Sequence, residues 1–202
     1  MSVIDILAET YQQLRRSLRQ VSPFTDGELQ LLAEGLSLRY LDRRDYFVRA
    51  DQPSRSVAYI VSGSVRYFYL KDGVETTSYF CLDGDWMGAY TSFLRQSPSL
   101  FYIEALEPTQ LLTFDYEQLQ RWERNPDFAY RINHFFRRLA EYLIGCYDDR
   151  VASFVLQSPE ERYLTLFRQR PELFQRISQQ YIANYLGITP VSLSRIRKRI
   201  HQ

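Results

Sequence analysis

The stretch Ile177–Ile200, ISQQYIANYLGITPVSLSRIRKRI, decides how the rest of the chain is read. Its spacing predicts two short helices joined by a tight turn. Ser178 is placed to cap a first helix over Gln179–Leu186, and Gly187 supplies the positive-φ residue that ends it. Thr189 then caps a second helix with Pro190 at its first position, where a missing N–H costs nothing. Ile182, Leu186, Ile188, Leu193, Ile196 and Ile200 fall on the inner faces of both helices, with Ala183 small enough to let them cross closely. Thr189, Val191, Ser192, Arg195, Lys198 and Arg199 are left facing outward.

Charge separates along the chain at the same place. From Leu173 onward there are five basic residues (Arg176, Arg195, Arg197, Lys198, Arg199) and no Asp or Glu, whereas residues 1–172 hold the other 20 basic groups and all 24 acids. The body therefore stands at −4 and the tail at +5, a segregation that the overall +1 conceals and that binding to phosphates requires. The pattern resembles the helix-turn-helix of DNA-binding regulators, in which the second helix enters the major groove. On that resemblance the candidate DNA-binding residues are Ser178, Gln179, Thr189, Val191, Ser192, Arg195, Arg197, Lys198 and Arg199. The alternative is a purely structural helical hairpin.

A chain of 202 residues, 45% hydrophobic and 15% aromatic, is long enough for one large or two modest packed domains. Its two cysteines, Cys81 and Cys146, are too few for a disulfide framework and lack CxxC spacing, so a reducing, cytoplasmic setting is expected. No secretory leader pattern and no run of 18 apolar residues occurs, which leaves no expectation of a membrane partner.

Ile4, Leu7, Tyr11, Leu14 and Leu18 recur at helical spacing, with Arg15, Arg16 and Arg19 on other faces; a membrane-surface role is the alternative for this helix. Thr25 and Glu28 make a capping box for a second helix through Leu36. From Leu38 to Phe114 the pattern becomes short β-rich runs, at Tyr59–Val61, Val65–Leu70, Glu75–Phe80, Ile103–Leu106 and Leu111–Phe114. Ser62-Gly63-Ser64 and Asp72-Gly73 read as hairpin turns, the latter of type I′, so a sandwich or jelly-roll barrel is expected. Asp115 with Gln118 caps a short helix to about Arg124, and Asn125-Pro126 starts a long one running to about Gln157. Ile132, Phe136, Leu139, Leu143, Tyr147 and Phe154 stripe that helix. The stripe is about 40 Å long, more than one barrel face needs. Arg150, Asp148 and Asp149 interrupt it late, which places a dimer seam in its first two-thirds, on Ile132, Phe136, Leu139, Leu143 and Tyr147; a helix lying on its own barrel is the alternative. Ser158-Pro159-Glu160-Glu161 starts another helix, carrying Tyr163, Leu164 and Phe167 inward to support the terminal pair.

A β-roll, a long helix and a C-terminal helix-turn-helix in that order resemble the Crp/Fnr superfamily of transcription regulators, over nearly the whole chain. The anchors are the turn around Gly63, the segment LDGDWMGAY at Leu82–Tyr90 with Gly84 and Gly88, and the terminal helix pair. The resemblance implies an α+β chain divided into a sensor roll with its N-terminal helices (1–125), a dimerisation helix (126–157) and a DNA-binding domain (158–202). It implies a homodimer, double-stranded DNA and RNA polymerase as partners, and a small-molecule effector seated near Gly84, Met87, Gly88, Ala89, Tyr90, Arg95 and Ser99.

Three departures qualify it. The family's phosphate cassette carries a Glu and an Arg where this chain has Ala89 and Pro98-Ser99. A buried phosphate without a guanidinium costs several kcal/mol, so cyclic-nucleotide regulation is not expected unless Arg95 substitutes. Tyr90, Phe93, Phe101 and Tyr102 either fill the pocket or line one for an apolar effector. Pro190 and Val191 stand where the best-known members carry Arg and Glu, while Arg195 matches the guanine-reading Arg. The sequence ends at Gln202, directly after the second helix, so the family's β-wing is not expected.

Enzymatic chemistry finds no support. Only His134 and His201 could serve as histidine ligands, no nucleophile or phosphate-loop motif occurs, and no cofactor is implied. The competing reading is a small-ligand-binding or protein-interaction module whose helix pair is structural.

Overall fold

The computed structural model describes residues 3–200, with side chains from Thr10 onward. The chain divides into two compact units, Met1–Tyr67 with Phe80–Glu141, and Phe68–Tyr79 with Tyr142–Gln202.

The first unit is a β-sandwich with helices before and after it. Helices α1 (Val3–Val21) and α2 (Asp26–Glu34) precede the strands. Leu14 and Leu18 of α1 are buried, whereas Ile4 and Leu7 lie outside the described side chains. The Thr25–Glu28 capping box forms in both directions, and α2 stops two residues earlier than expected, at Glu34 with Gly35 as its C-cap. One sheet has the order β1-β8-β3-β6, from β1 (Ser37–Leu41), β3 (Ser56–Ser62), β6 (Trp86–Met87) and β8 (Thr109–Asp115). The other has the order β2-β7-β4-β5, from β2 (Tyr46–Val48), β4 (Ser64–Lys71), β5 (Val74–Leu82) and β7 (Tyr102–Ala105).

Asp72 and Gly73 both take positive φ, 52° and 78°, and join neighbouring strands as a type I′ turn. Ser62-Gly63-Ser64 is a different device from the hairpin expected. It joins β3 to β4, which belong to different sheets, so Gly63 turns a corner. Its φ of 116° and the 2.4 Å that would separate a Cβ from Thr109 Oγ1 admit only glycine there. Arg66 on β4 and Glu104 on β7 form a buried ion pair, with Nε donating to Oε2 at 2.6 Å.

Helix α3 (Tyr90–Arg95) and α4 (Tyr116–Arg124) close the sandwich; Asp115 Oδ1 accepts from the Gln118 N–H at 2.7 Å, as its spacing foretells. The long helix α5 (Pro126–Leu156) follows, 31 residues and so about 46 Å. Its first half belongs to the sandwich. Phe136 packs against Phe93 and Phe114, and Phe135 meets Trp86 edge-on at 5.0 Å. His134 is half-buried, its Nδ1 2.8 Å from Ser22 Oγ.

The dimer seam expected on this helix is therefore corrected. Ile132, Phe136 and Leu139 are buried inside their own unit, Leu143 is half-buried, and of the expected set only Tyr147 is open. Apolar spacing alone does not reveal which body a stripe covers. The exposed apolar stripe of α5 lies later, on Ile144, Tyr147, Val151 and Val155.

The second unit gathers α6 (Pro159–Gln169), α7 (Leu173–Arg176), α8 (Gln179–Leu186), α9 (Pro190–Ile200), the later half of α5 and the outer end of the β4–β5 hairpin. Ser158 and Glu161 complete the capping box of α6. Tyr163 points inward as expected, but Leu166 replaces Leu164 as its buried aliphatic partner, and Phe167 lies near the surface, stacked on Tyr163 and edge-on to Phe174. Leu173 and Ile177 complete the support beneath α8 and α9.

Candidate nucleic-acid interface

Gly187 ends α8 in the left-handed conformation at φ 70°, and its N–H returns to the Ala183 and Asn184 carbonyls. Thr189 caps α9, its hydroxyl accepting the Ser192 N–H at 3.1 Å. Ile182, Ala183, Leu186, Leu193 and Ile196 are buried between the two helices, while Ile188 and Ile200 are half-buried. Ser178 occupies the N-cap position of α8, but its hydroxyl accepts no cap hydrogen bond.

The outward face of α9 carries Val191, Arg195, Lys198 and Arg199, all exposed, whereas Ser192 and Arg197 are half-buried. Ser192, Arg195, Lys198 and Arg199 line an open groove of about 490 Å³, floored by Ile196. Among the described residues Arg195 and Lys198 form no ion pair, and Arg199 meets Glu160 at 2.8 Å. A groove with cations on its rim and no acid on its own helix presents positive potential to solvent. Ser178 and Gln179, at the start of α8, are exposed as well.

Sequence reasoning missed what holds this pair. Arg150, read as an interruption of an apolar stripe, lies 3.7 Å from the Tyr185 ring centroid and 4.3 Å from that of Phe154, and donates to the Tyr185 carbonyl. Burial lowers its guanidinium pKa below the ordinary value. Arg162 stacks on Phe154 at 4.6 Å and donates to the Leu186 carbonyl at 3.1 Å. Two guanidiniums thus satisfy the last carbonyls of α8, where a helix terminus favours positive charge.

The residues expected near an effector make contacts of their own within the first unit. The Gly88 N–H donates to the Tyr67 hydroxyl at 3.1 Å, and the Tyr67 ring lies tilted against Phe101, centroids 5.5 Å apart. Met87 and Ala89 are buried. Tyr90 donates to the Phe136 carbonyl at 3.0 Å, and Ser99 to the Phe101 carbonyl at 2.8 Å. Gly84, at φ 88°, forms the turn after β5. Arg95 lies exposed in the last turn of α3. Phe93 is packed among Phe114, Tyr116 and Phe136, the last shared with Tyr90, whereas Tyr102 lies against Tyr46 and Phe101 near Tyr67.

Among the described residues no group of three His, Cys, Asp or Glu side chains could hold a metal ion, and no helix is long and apolar enough to cross a membrane. His201 lies outside the described residues. Cys81 is buried and Cys146 half-buried, the latter with its Sγ 3.5 Å from Tyr79 Oη.

Residues 38–124 match the Cyclic nucleotide-binding domain family. The c-di-GMP responsive global regulator CLP of Xanthomonas campestris superposes with a TM-score of 0.68 at 19% identity, over 88% of this chain and 92% of that one. FixK2 of Bradyrhizobium japonicum gives 0.69 at 21% identity, over 82% and 84%. The Thermus thermophilus catabolite activator protein gives 0.56 at 19% identity, over 92% and 86%. The fold is that of the Crp/Fnr regulators. No curated protein sequence matches the chain. Within the Crp/Fnr-like fold, the Gly88 segment occupies the matched domain, and the α8–α9 groove lies C-terminal to it.

Proposed function

We propose that this chain is a homodimeric, sequence-specific DNA-binding transcription regulator. It reads the major groove with α9, the second helix of a helix-turn-helix, and operates without cyclic AMP. The observation that carries this reading is the outward face of α9, where Arg195 and Lys198 rim an open groove without an acid partner among the described residues. Thr189, Val191, Ser192 and Arg195 lie in the part of the helix that meets base edges, and Arg197, Lys198 and Arg199 a turn later meet phosphates. The same face is what a fold shared with CLP, FixK2 and the catabolite activator protein would present to DNA.

The dimer uses the late stripe of α5. Ile144, Tyr147, Val151 and Val155 follow one another at helical spacing over about 17 Å and are 53–73% exposed, an apolar face suited to its two-fold copy. Residues 1–125, 126–157 and 158–202 then serve as sensor, dimerisation and DNA-binding regions. Ala89 and Pro98 leave a cyclic nucleotide phosphate without its anchors, and Tyr67 already occupies the Gly88 N–H. Any effector would have to be of another chemistry. RNA polymerase is the protein partner proposed for such a regulator, and the cytoplasm its proposed setting.

Binding selection from a random duplex library tests the reading. The expected result is enrichment of a two-fold symmetric site; a library that emerges unenriched at low salt sinks it.

A further inference from the structure

We propose that Asn184 is a positioning residue which latches the helix pair to the β4–β5 hairpin, and that this latch sets DNA affinity. The proposal rests on the DNA-binding reading above. Strand β5 is the edge of its sheet in the order β2-β7-β4-β5, and an edge strand presents backbone groups without a neighbouring strand. Asn184 of α8 meets that edge with both halves of its carboxamide. Its Nδ2 donates to the Glu75 carbonyl at 2.9 Å, and its Oδ1 accepts the Thr77 N–H at 2.5 Å.

The two contacts flank Thr76, as the bonds of one residue in a neighbouring parallel strand would. A single side chain thus stands in for one residue of a missing strand. Only a primary amide supplies donor and acceptor together: Asp keeps the acceptor alone, and Leu supplies neither.

Arg150 extends the latch. It donates to the Thr77 carbonyl at 3.4 Å and to the Tyr185 carbonyl, joining the hairpin and the end of α8 through one guanidinium. Thr77 is fully buried, so its N–H and carbonyl are shielded on the inner side of the junction, while the Asn184–Glu75 bond lies at the exposed edge. Beyond the latch, β5 continues unbroken to Leu82 and the turn at Gly84, and from there the chain enters the Gly88 segment. A shift of β5 along its axis breaks both Asn184 bonds at once.

The latched arrangement leaves Arg195 and Lys198 exposed, so it is the DNA-competent one. Releasing it frees the helix pair, and DNA then has to order what the latch had already ordered.

The test compares the parent with Asn184→Leu and Asn184→Asp on the selected duplex, together with amide exchange at Thr77. Asn184→Leu is expected to speed exchange at Thr77 and to weaken DNA binding about three- to tenfold, with the salt slope unchanged because no phosphate contact is lost. Asn184→Asp retains protection of Thr77 and loses less affinity; it also carries the test if the Leu variant does not fold. Faster exchange with parental affinity overturns the latch as a control on binding. Lost affinity with parental exchange at Thr77 overturns it too, by making Asn184 a direct DNA contact. A parent that binds no duplex overturns the DNA reading and the latch with it, whereas a parent that binds beside an Asn184→Leu variant of equal affinity overturns the latch alone.

Discussion

Gly187 stands at φ 70°, where an added Cβ would lie 2.8 Å from Phe154 Cε1. Left-handed strain and the displaced ring should together cost Gly187→Ala at least about 1 kcal/mol, readable as a lower denaturation midpoint at unchanged slope. Arg195 is the guanidinium nearest the start of α9, and Arg pairs bidentately with guanine O6 and N7. Arg195→Ala should cost about 1–3 kcal/mol per half-site and relax preference at one base pair, whereas Lys198→Ala should weaken all sequences alike and lower the salt slope by about 1. An Arg195→Ala variant that selects the parental motif with parental stringency would show that Arg195 does not read a base. At the N-terminus of α6 the Ser158 N–H and hydroxyl hold the Glu161 carboxyl below the ordinary carboxylate range. The folded pKa is the lower one, so the cap's contribution is full above about pH 4.3 and is lost as pH falls through the folded value. Amide protection at Ser158, whose N–H the Glu161 carboxylate accepts, should accordingly fade on acidification through the folded value, a change that Glu161→Gln should flatten.

Among the elements, α5 shows how one apolar stripe can serve two bodies. Phe128, Ile132, Phe135, Phe136 and Leu139 are buried in the first unit, each contributing about 1.5–3 kcal/mol, while Ile144, Tyr147, Val151 and Val155 face outward. Ile144→Glu with Val151→Glu would place four like charges in a two-fold seam, and sedimentation at micromolar concentration should then show monomers where the parent is dimeric. A monomeric parent excludes the seam. The two glycine turns differ in the same way: Asp72-Gly73 joins neighbouring strands, but Ser62-Gly63-Ser64 joins two sheets, a difference set by pairings distant in sequence.

For the whole molecule, the match of residues 38–124 to a cyclic nucleotide-binding domain coexists with a site whose Gly88 N–H already donates to Tyr67. Calorimetry with cyclic AMP or cyclic GMP at millimolar concentration should show no heat of binding. Tyr67→Phe should remain equally inert, because freeing one N–H supplies no guanidinium for the phosphate. A micromolar affinity in the parent would mean that Arg95 reaches the ligand after all.

Local chemistry by itself determined much of this protein. The Thr25, Asp115, Ser158 and Thr189 caps, the Asp72-Gly73 turn, the αL end at Gly187 and the acid-free tail all depend on residues within a few positions of one another, and each stands where its spacing put it. Ser178 was the exception, since a residue suited to capping is not compelled to cap. Tertiary structure alone decided which half of α5 is covered, that Tyr67 takes the Gly88 N–H, that Arg150 and Arg162 close the end of α8, and that Asn184 reaches an edge strand more than a hundred residues away. Those contacts have no periodicity and no local donor–acceptor spacing. They exist because burial brings polar groups from distant segments out of water together, and each must then find a partner among whatever the fold has placed beside it.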